Sequence, residues 1–260
     1  MGSLPPPHVV PASATHTHTV VFLHGRGDSA AKFSSSLRWS TDSSNRTLDQ
    51  IFPTFRWVFP MTSDEIAAAA FPQWFDIWNV QNFAEREELQ AVGLRVSVQR
   101  IRDILADEAA LLEGHWDRIV LAGISQGAAT SVHTLLNLDI PGPIDGESQK
   151  RQRLGAFLGF SCRMPFPGRS LAATRKVLDL EGSPSDASIL ENTPVLLEHC
   201  VNDHVVLVEN GRVLRDTLRG FGAQVTWKQY PDGEHWFNSP TGIDDAVEFL
   251  KHVLELPEVA

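Results

Sequence analysis

The chain is most constrained by a set of short strand-like runs spread along its length, several of them continuously apolar: 19–23 (TVVFL), 56–59 (RWVF), 118–122 (RIVLA), 154–160 (LGAFLGF), 195–200 (VLLEHC) and 225–230 (VTWKQY). A strand with one face in water alternates apolar and polar residues, so a run without that alternation has to be covered on both sides. Between the runs, apolar residues recur at three- and four-residue steps. The pattern is clearest over 85–113, through Leu94, Val98, Ile101, Ile104, Leu105 and Leu112, and further helices are expected at 126–138, 206–220 and 243–254. Strands and helices in alternation predict an α/β fold, a mostly parallel central sheet with helices on both faces. A length of 260 residues, 42% of them hydrophobic, suits a single domain of this kind over 18–260. Residues 1–17 read as a flexible N-terminal arm in which His16 and His18 are solvated. Two stretches rich in Pro, Gly, Ser and charge, near 141–153 and 180–193, read as mobile surface loops.

The formal net charge of −10 argues against a nucleic-acid partner or attraction to an anionic membrane. No stretch approaches the ~18 apolar residues of a membrane span, and the first residues lack the basic and apolar pattern of a secretory leader. The only cysteines, Cys162 and Cys200, form neither a metal-ligand spacing nor a disulfide framework. The expectation is a soluble, cytoplasmic protein with no metal and no cofactor.

Within 119–130 (IVLAGISQGAAT), Gly123-Ile124-Ser125-Gln126-Gly127 falls where a buried strand turns into a helix. In α/β sheets ligands bind at the carboxyl ends of the strands. A nucleophilic serine on such a turn needs small residues two positions before and after it, because larger side chains would meet the strand and helix that flank it. Gly123 and Gly127 meet that need, and the helix that follows brings free N–H groups and partial positive charge close to Ser125. The bland reading is a glycine-flanked serine that merely caps a helix.

A nucleophilic serine also requires a base and a group to orient it. Asp203 directly follows the run VLLEHC, and His235 follows VTWKQY, so both arrive at the same sheet edge as Ser125. Asp203 has a competing role as a helix cap near Val205. Asp232 reads as a turn residue, and His204 adjoins the acid too closely to serve as the base. The glycine-rich turn His24-Gly25-Arg26-Gly27 after the first strong strand suits oxyanion binding, with the backbone N–H groups of Arg26 and Gln126 as donors. The long connection 61–78 (MTSDEIAAAAFPQWFDIW) concentrates aromatic rings. Trp74, together with Phe75 and Phe71, is expected to line a substrate groove beside Ser125; the alternative is that these rings fill core.

Taken in order, FLHGRGD, PQWFDIW, LAGISQG, FSCRMP, HCVNDHVV and YPDGEHWF resemble the phospholipase/carboxylesterase family, which includes the acyl-protein thioesterases, from about residue 19 to 254. The resemblance implies an α/β-hydrolase fold and cofactor-free hydrolysis of acyl thioesters or esters. It places Ser125, Asp203 and His235 in the triad and Arg26 and Gln126 in the oxyanion hole. The substrate would be an acyl thioester or ester, with a protein as one candidate carrier. Family members usually carry an aliphatic residue where Arg26 stands, so either the acyl groove is more polar here or Arg26 points to solvent. Two other outcomes stay open at this level: release or lactonisation of a carrier-bound acyl chain in secondary metabolism, and a noncatalytic binding protein on the same fold.

Overall fold

The computed structural model describes residues 6–62, 71–142 and 152–256. Among these residues seven strands form one sheet: β1 (His8–Val10), β2 (His18–Leu23), β3 (Phe55–Phe59), β4 (Ile119–Ile124), β5 (Ala156–Phe160), β6 (Val195–Cys200) and β7 (Val225–Tyr230). Their order across the sheet is β1-β3-β2-β4-β5-β6-β7, with β1 antiparallel to β3 and every other pairing parallel. The helices are α1 (Ala30–Ser36), α2 (Leu48–Ile51), α3 (Gln90–Leu111), α4 (Gln126–Leu136), α5 (Leu171–Leu178), α6 (Ser188–Asn192), α7 (Val208–Gly220) and α8 (Thr241–Val253). None is long and apolar enough to cross a membrane.

Successive side chains of a strand point to opposite faces, and the continuous apolar runs exploit this. In β2, Val21 and Leu23 join a core shared with α3, α4, α5, α6 and α7, while Val20 and Phe22 join a second core under α1, α2 and α8. In β4, Ile119 and Leu121 face the first core, and Val120, Ala122 and Ile124 the second. Each central strand is therefore buried twice, and its carboxyl end is the part left to carry polar chemistry.

Three expectations need correction. The arm at 1–17 is not wholly flexible, because His8–Val10 pairs with β3 in the register Val9↔Val58 and closes one sheet edge. His16 and His18 are not simply solvated. His16 Nε2 bonds Thr19 Oγ1 at 2.9 Å, and the His18 ring packs 4.8 Å from Phe55. Burial, with Arg118 nearby, pushes the His18 imidazole down to about 4. The stretch 180–193 is anchored: Arg102 donates to the carbonyls of Glu181 and Gly182, and α6 buries Ile189 and Leu190. Its small-residue composition conceals a helix too short for periodicity to reveal. The expected loop near 141–153 falls largely outside the described residues, at 143–151, and the connection 61–78 does so in part, at 63–70.

Candidate active site

The fully apolar β4 ends at Ile124, and α4 starts at Gln126, leaving one residue to reverse the chain direction. That residue is Ser125, at φ 55° and ψ −124°, a conformation disfavoured for any side chain but glycine. The strain is held by packing that tolerates no extra atom. A Cβ on Gly123 would lie 2.6 Å from the Ala128 amide nitrogen, and one on Gly127 would run into the carbonyls of His24 and Leu23. The Ser125 amide donates to the Phe160 carbonyl at 2.9 Å, tying the turn to β5.

Asp203 and His235 enter from the ends of β6 and β7. Asp203 is 2% exposed; Oδ1 accepts from the amides of Val205 and Val206 at 2.8 and 2.9 Å, and Oδ2 from His235 Nδ1 at 2.8 Å. Helix α7 begins only at Val208 and takes Leu207 as its cap, so Asp203 organises its own loop rather than capping a helix. Burial opposes its charge, but hydrogen bonds from His199 and His235, the His235 charge and the Val206 amide outweigh that and hold the carboxyl well below the usual carboxylate range. With Nδ1–H given to Asp203, His235 Nε2 is left to accept, and Ser125 Oγ lies 2.8 Å from it. A serine hydroxyl aimed at an imidazole that is backed by a buried carboxylate can be deprotonated as it attacks a carbonyl carbon. Asp232 stays in its own turn, where Asn238 donates to its carbonyl and to Oδ1.

The glycine-rich turn after β2 lies against the serine: a Cβ on Gly25 would sit 3.5 Å from Ser125 Cβ. Gln126 opens α4, whose first-turn N–H groups have no partner within the helix. Its side chain adds a feature that the sequence pattern did not reveal. Oε1 accepts from the Trp74 amide at 2.9 Å and Nε2 donates to the Phe75 carbonyl at 2.7 Å, clasping the aromatic connection to the serine turn.

Beside Ser125 lies a cavity of about 250 Å³ lined by Phe75, Ile77, Val80, Phe83, Ala129, Val205 and Val206, with Arg26, Gln126, Arg163 and His235 as its polar members. Of the three rings expected here, only Phe75 reaches it. Trp74 is 3% exposed and turned into the core, its indole N–H donating to the His24 carbonyl at 2.9 Å. Phe71 is 52% exposed and lies beneath the Arg26 guanidinium, 4.5 Å from its ring centre. Neighbouring aromatics in a connection without a repeat carry no signal of which way each will turn. Arg163, Ile77, Val80, Phe83, Val205 and Val206 escaped the sequence reading. Arg163 follows a strand end, as Ser125, Asp203 and His235 do, and that position is the signal that could have found it.

The profile of the phospholipase/carboxylesterase family matches residues 5–254. Acyl-protein thioesterase 1 of Gibberella zeae is 28% identical over 255 residues, 95% of either chain. Among solved structures, acyl-protein thioesterase 2 of Zea mays superposes with a TM-score of 0.69 at 23% identity, over 95% of this chain and 98% of its own. The carboxylesterase of Bacillus cereus does so with a TM-score of 0.61 at 14% identity, over 95% and 93%. With a family profile matched across nearly its whole length, on an α/β-hydrolase fold, the chain belongs to the phospholipase/carboxylesterase family and is an ester-hydrolysing enzyme.

Proposed function

We propose that the chain hydrolyses acyl thioesters or carboxylic esters through a covalent acyl-serine on Ser125. The observation that carries this reading is the line Asp203–His235–Ser125, two hydrogen bonds of 2.8 Å that end at the mouth of a mostly apolar cavity. His235 takes the hydroxyl proton as Ser125 Oγ bonds to the acyl carbon. The backbone N–H groups of Arg26 and Gln126 receive the oxyanion, and His235 returns the proton to the departing thiol or alcohol. Water then enters, gives a proton to His235 and attacks the acyl-serine, and His235 passes that proton to Ser125 Oγ as the acyl C–Oγ bond breaks and the acid leaves. Asp203 keeps the imidazole in the required tautomer and offsets its transient charge.

The names of the Gibberella and maize relatives support an acylated protein as one natural substrate, and a cytoplasmic setting belongs to this reading. The intact triad disfavours a noncatalytic binding role. Incubation with a fluorophosphonate should modify Ser125 stoichiometrically and abolish hydrolysis of p-nitrophenyl and acyl-thioester substrates in parallel, with Ser125→Ala unlabelled. Labelling elsewhere, or activity that survives full labelling, would defeat the assignment.

A further inference from the structure

Two guanidinium groups, those of Arg26 and Arg163, line the cavity beside Ser125, and no carboxylate among the described residues does. Arg26 is held at the mouth, Nε donating to Gln73 Oε1 at 2.9 Å above Phe71. Arg163 is the unusual one. It is only 6% exposed, yet its short contact is to a neutral acceptor, Nη2 donating to Gln90 Oε1 at 2.6 Å, while the face of its guanidinium covers Phe83 at 4.3 Å. Its ion-pair partner Glu87 stands off at 3.7 Å, and the same Glu87 oxygen already accepts from the Phe166 amide at 2.8 Å. Burying a cation is unfavourable unless an anion comes close to it, and Glu87 at 3.7 Å, shared with the Phe166 amide, meets that need only in part.

We propose that Arg163 is a specificity-determining residue that receives an anionic group on the acyl part of the substrate, a carboxylate set a few carbons from the reacting carbonyl. This rests on the esterase reading above and names its substrate class. A guanidinium offers paired donors that match a carboxylate, and in a cavity with apolar walls the contact is little screened by water. Arg163 also sits where the cavity meets an outer groove of about 610 Å³, with Val80, Phe83 and Val205 at the same junction and its partner Glu87 on the outer side. The inner cavity, about 250 Å³, runs between Ser125 and Arg163 with room for an acyl chain. Burial lowers the Arg163 pKa to about 10, so it remains a cation at neutral pH. Arg26 adds positive charge at the entrance.

The test compares p-nitrophenyl half-esters of glutaric and adipic acid with p-nitrophenyl butyrate and hexanoate, on wild type, Arg163→Gln and Arg163→Lys. Wild type should favour the acidic member of each pair in kcat/KM by about tenfold or more, chiefly through KM and less so at high salt. Arg163→Gln should lower that ratio about ten- to a hundredfold, and Arg163→Lys should keep part of it. The proposal is overturned if wild type hydrolyses the neutral esters as well as the acidic ones. An unchanged ratio in Arg163→Gln also overturns it, including a case with lowered Tm, which would make Arg163 a brace for Phe83 and Gln90. Should the variants fail to fold, the wild-type ratio and its inhibition by free glutarate decide. Fluorophosphonate labelling of Ser125 runs alongside: labelling with a neutral preference defeats only the arginine assignment, whereas absence of both labelling and hydrolysis defeats the esterase reading.

Discussion

The two walls of the cavity are built on different principles. One consists of turns at strand ends, which deliver Arg26, Ser125, Asp203 and His235 from β2, β4, β6 and β7. The other is the connection 71–89, where Trp74 and Phe75 are neighbours in sequence and both buried in one core, but only Phe75 also lines the cavity. On the first wall a side chain is placed by the last residue of a buried strand, so position follows from a local pattern. On the second it is placed by distant partners. Gln126 holds the backbone of 74 and 75, Ser97 Oγ donates to the Trp74 carbonyl at 2.6 Å, and Gly93 leaves room for the chain, since a Cβ there would lie 2.8 Å from Phe75 Cα. A wall made by the sheet can hold catalytic geometry while a wall made by contacts sets what fits beside it.

The sharpest way to separate the walls is to remove chemistry from the first. Ser125→Ala and His235→Ala should each reduce kcat by roughly 10⁴- to 10⁶-fold with the fold retained by circular dichroism, and the double variant should lose little more, since the three groups act as one unit. A folded Ser125→Ala enzyme that hydrolyses esters near the normal rate would break the comparison at its base.

On the second wall the expected losses are of stability. Trp74→Ala should cost about 3–5 kcal/mol by denaturant unfolding, because a buried indole is replaced by a cavity. Phe75→Ala should cost a similar amount and, because its ring also lines the cavity, shift acyl-chain preference as well. If Trp74→Ala changed chain-length preference and Phe75→Ala did not, the placement of the two rings would be wrong. The clasp between the walls comes next. Gln126→Ala keeps the backbone donor but leaves the Trp74 N–H and Phe75 carbonyl without their partner, at about 1–3 kcal/mol for each buried group. Its kcat should fall in step with the loosening of the connection, measured by hydrogen exchange at residues 74–75.

The smallest effect comes from a contrast within the first wall. Glu198 on β6 is buried, and burial together with the Asp245 charge raises its pKa well above the carboxylate range, whereas Asp203 just beyond the same strand is held low. A carboxyl raised on folding contributes stability below its unfolded pKa of about 4.3 and loses it as pH rises toward the folded value. One lowered on folding contributes above that pH and loses it as pH falls. Glu198→Gln should therefore gain a few degrees in Tm over wild type as pH rises from 4 to 7, and Asp203→Asn should compare worst with wild type near neutrality and converge on it in acid. Parallel pH curves for the two variants would show that the strand does not separate its two acids.

Much of this molecule can be read from its local pattern. The runs at 119–124 and 195–200 announce buried strands, fully covered in the fold, while 225–230, with Thr226, Lys228 and Gln229, forms the half-exposed edge strand; the glycines at 123 and 127 announce a serine turn because only glycine leaves room there. Ser125, Asp203 and His235 followed from those strand ends. The tertiary structure decided the rest, for reasons of range. β1 is three residues long and gains its identity only by pairing with β3; α6 is a single turn fixed by Ile189 and Leu190 in the core. Trp74 and Phe75 carry nearly the same hydrophobicity and are both buried, so no local rule says which of them also lines the cavity; Gln126, more than fifty positions away, fixes the backbone of both through two hydrogen bonds. For Arg163 the strand end marked a position but not its burial or role, because the worth of a buried charge depends on which anions approach it, and those come from residues remote in sequence or from the substrate.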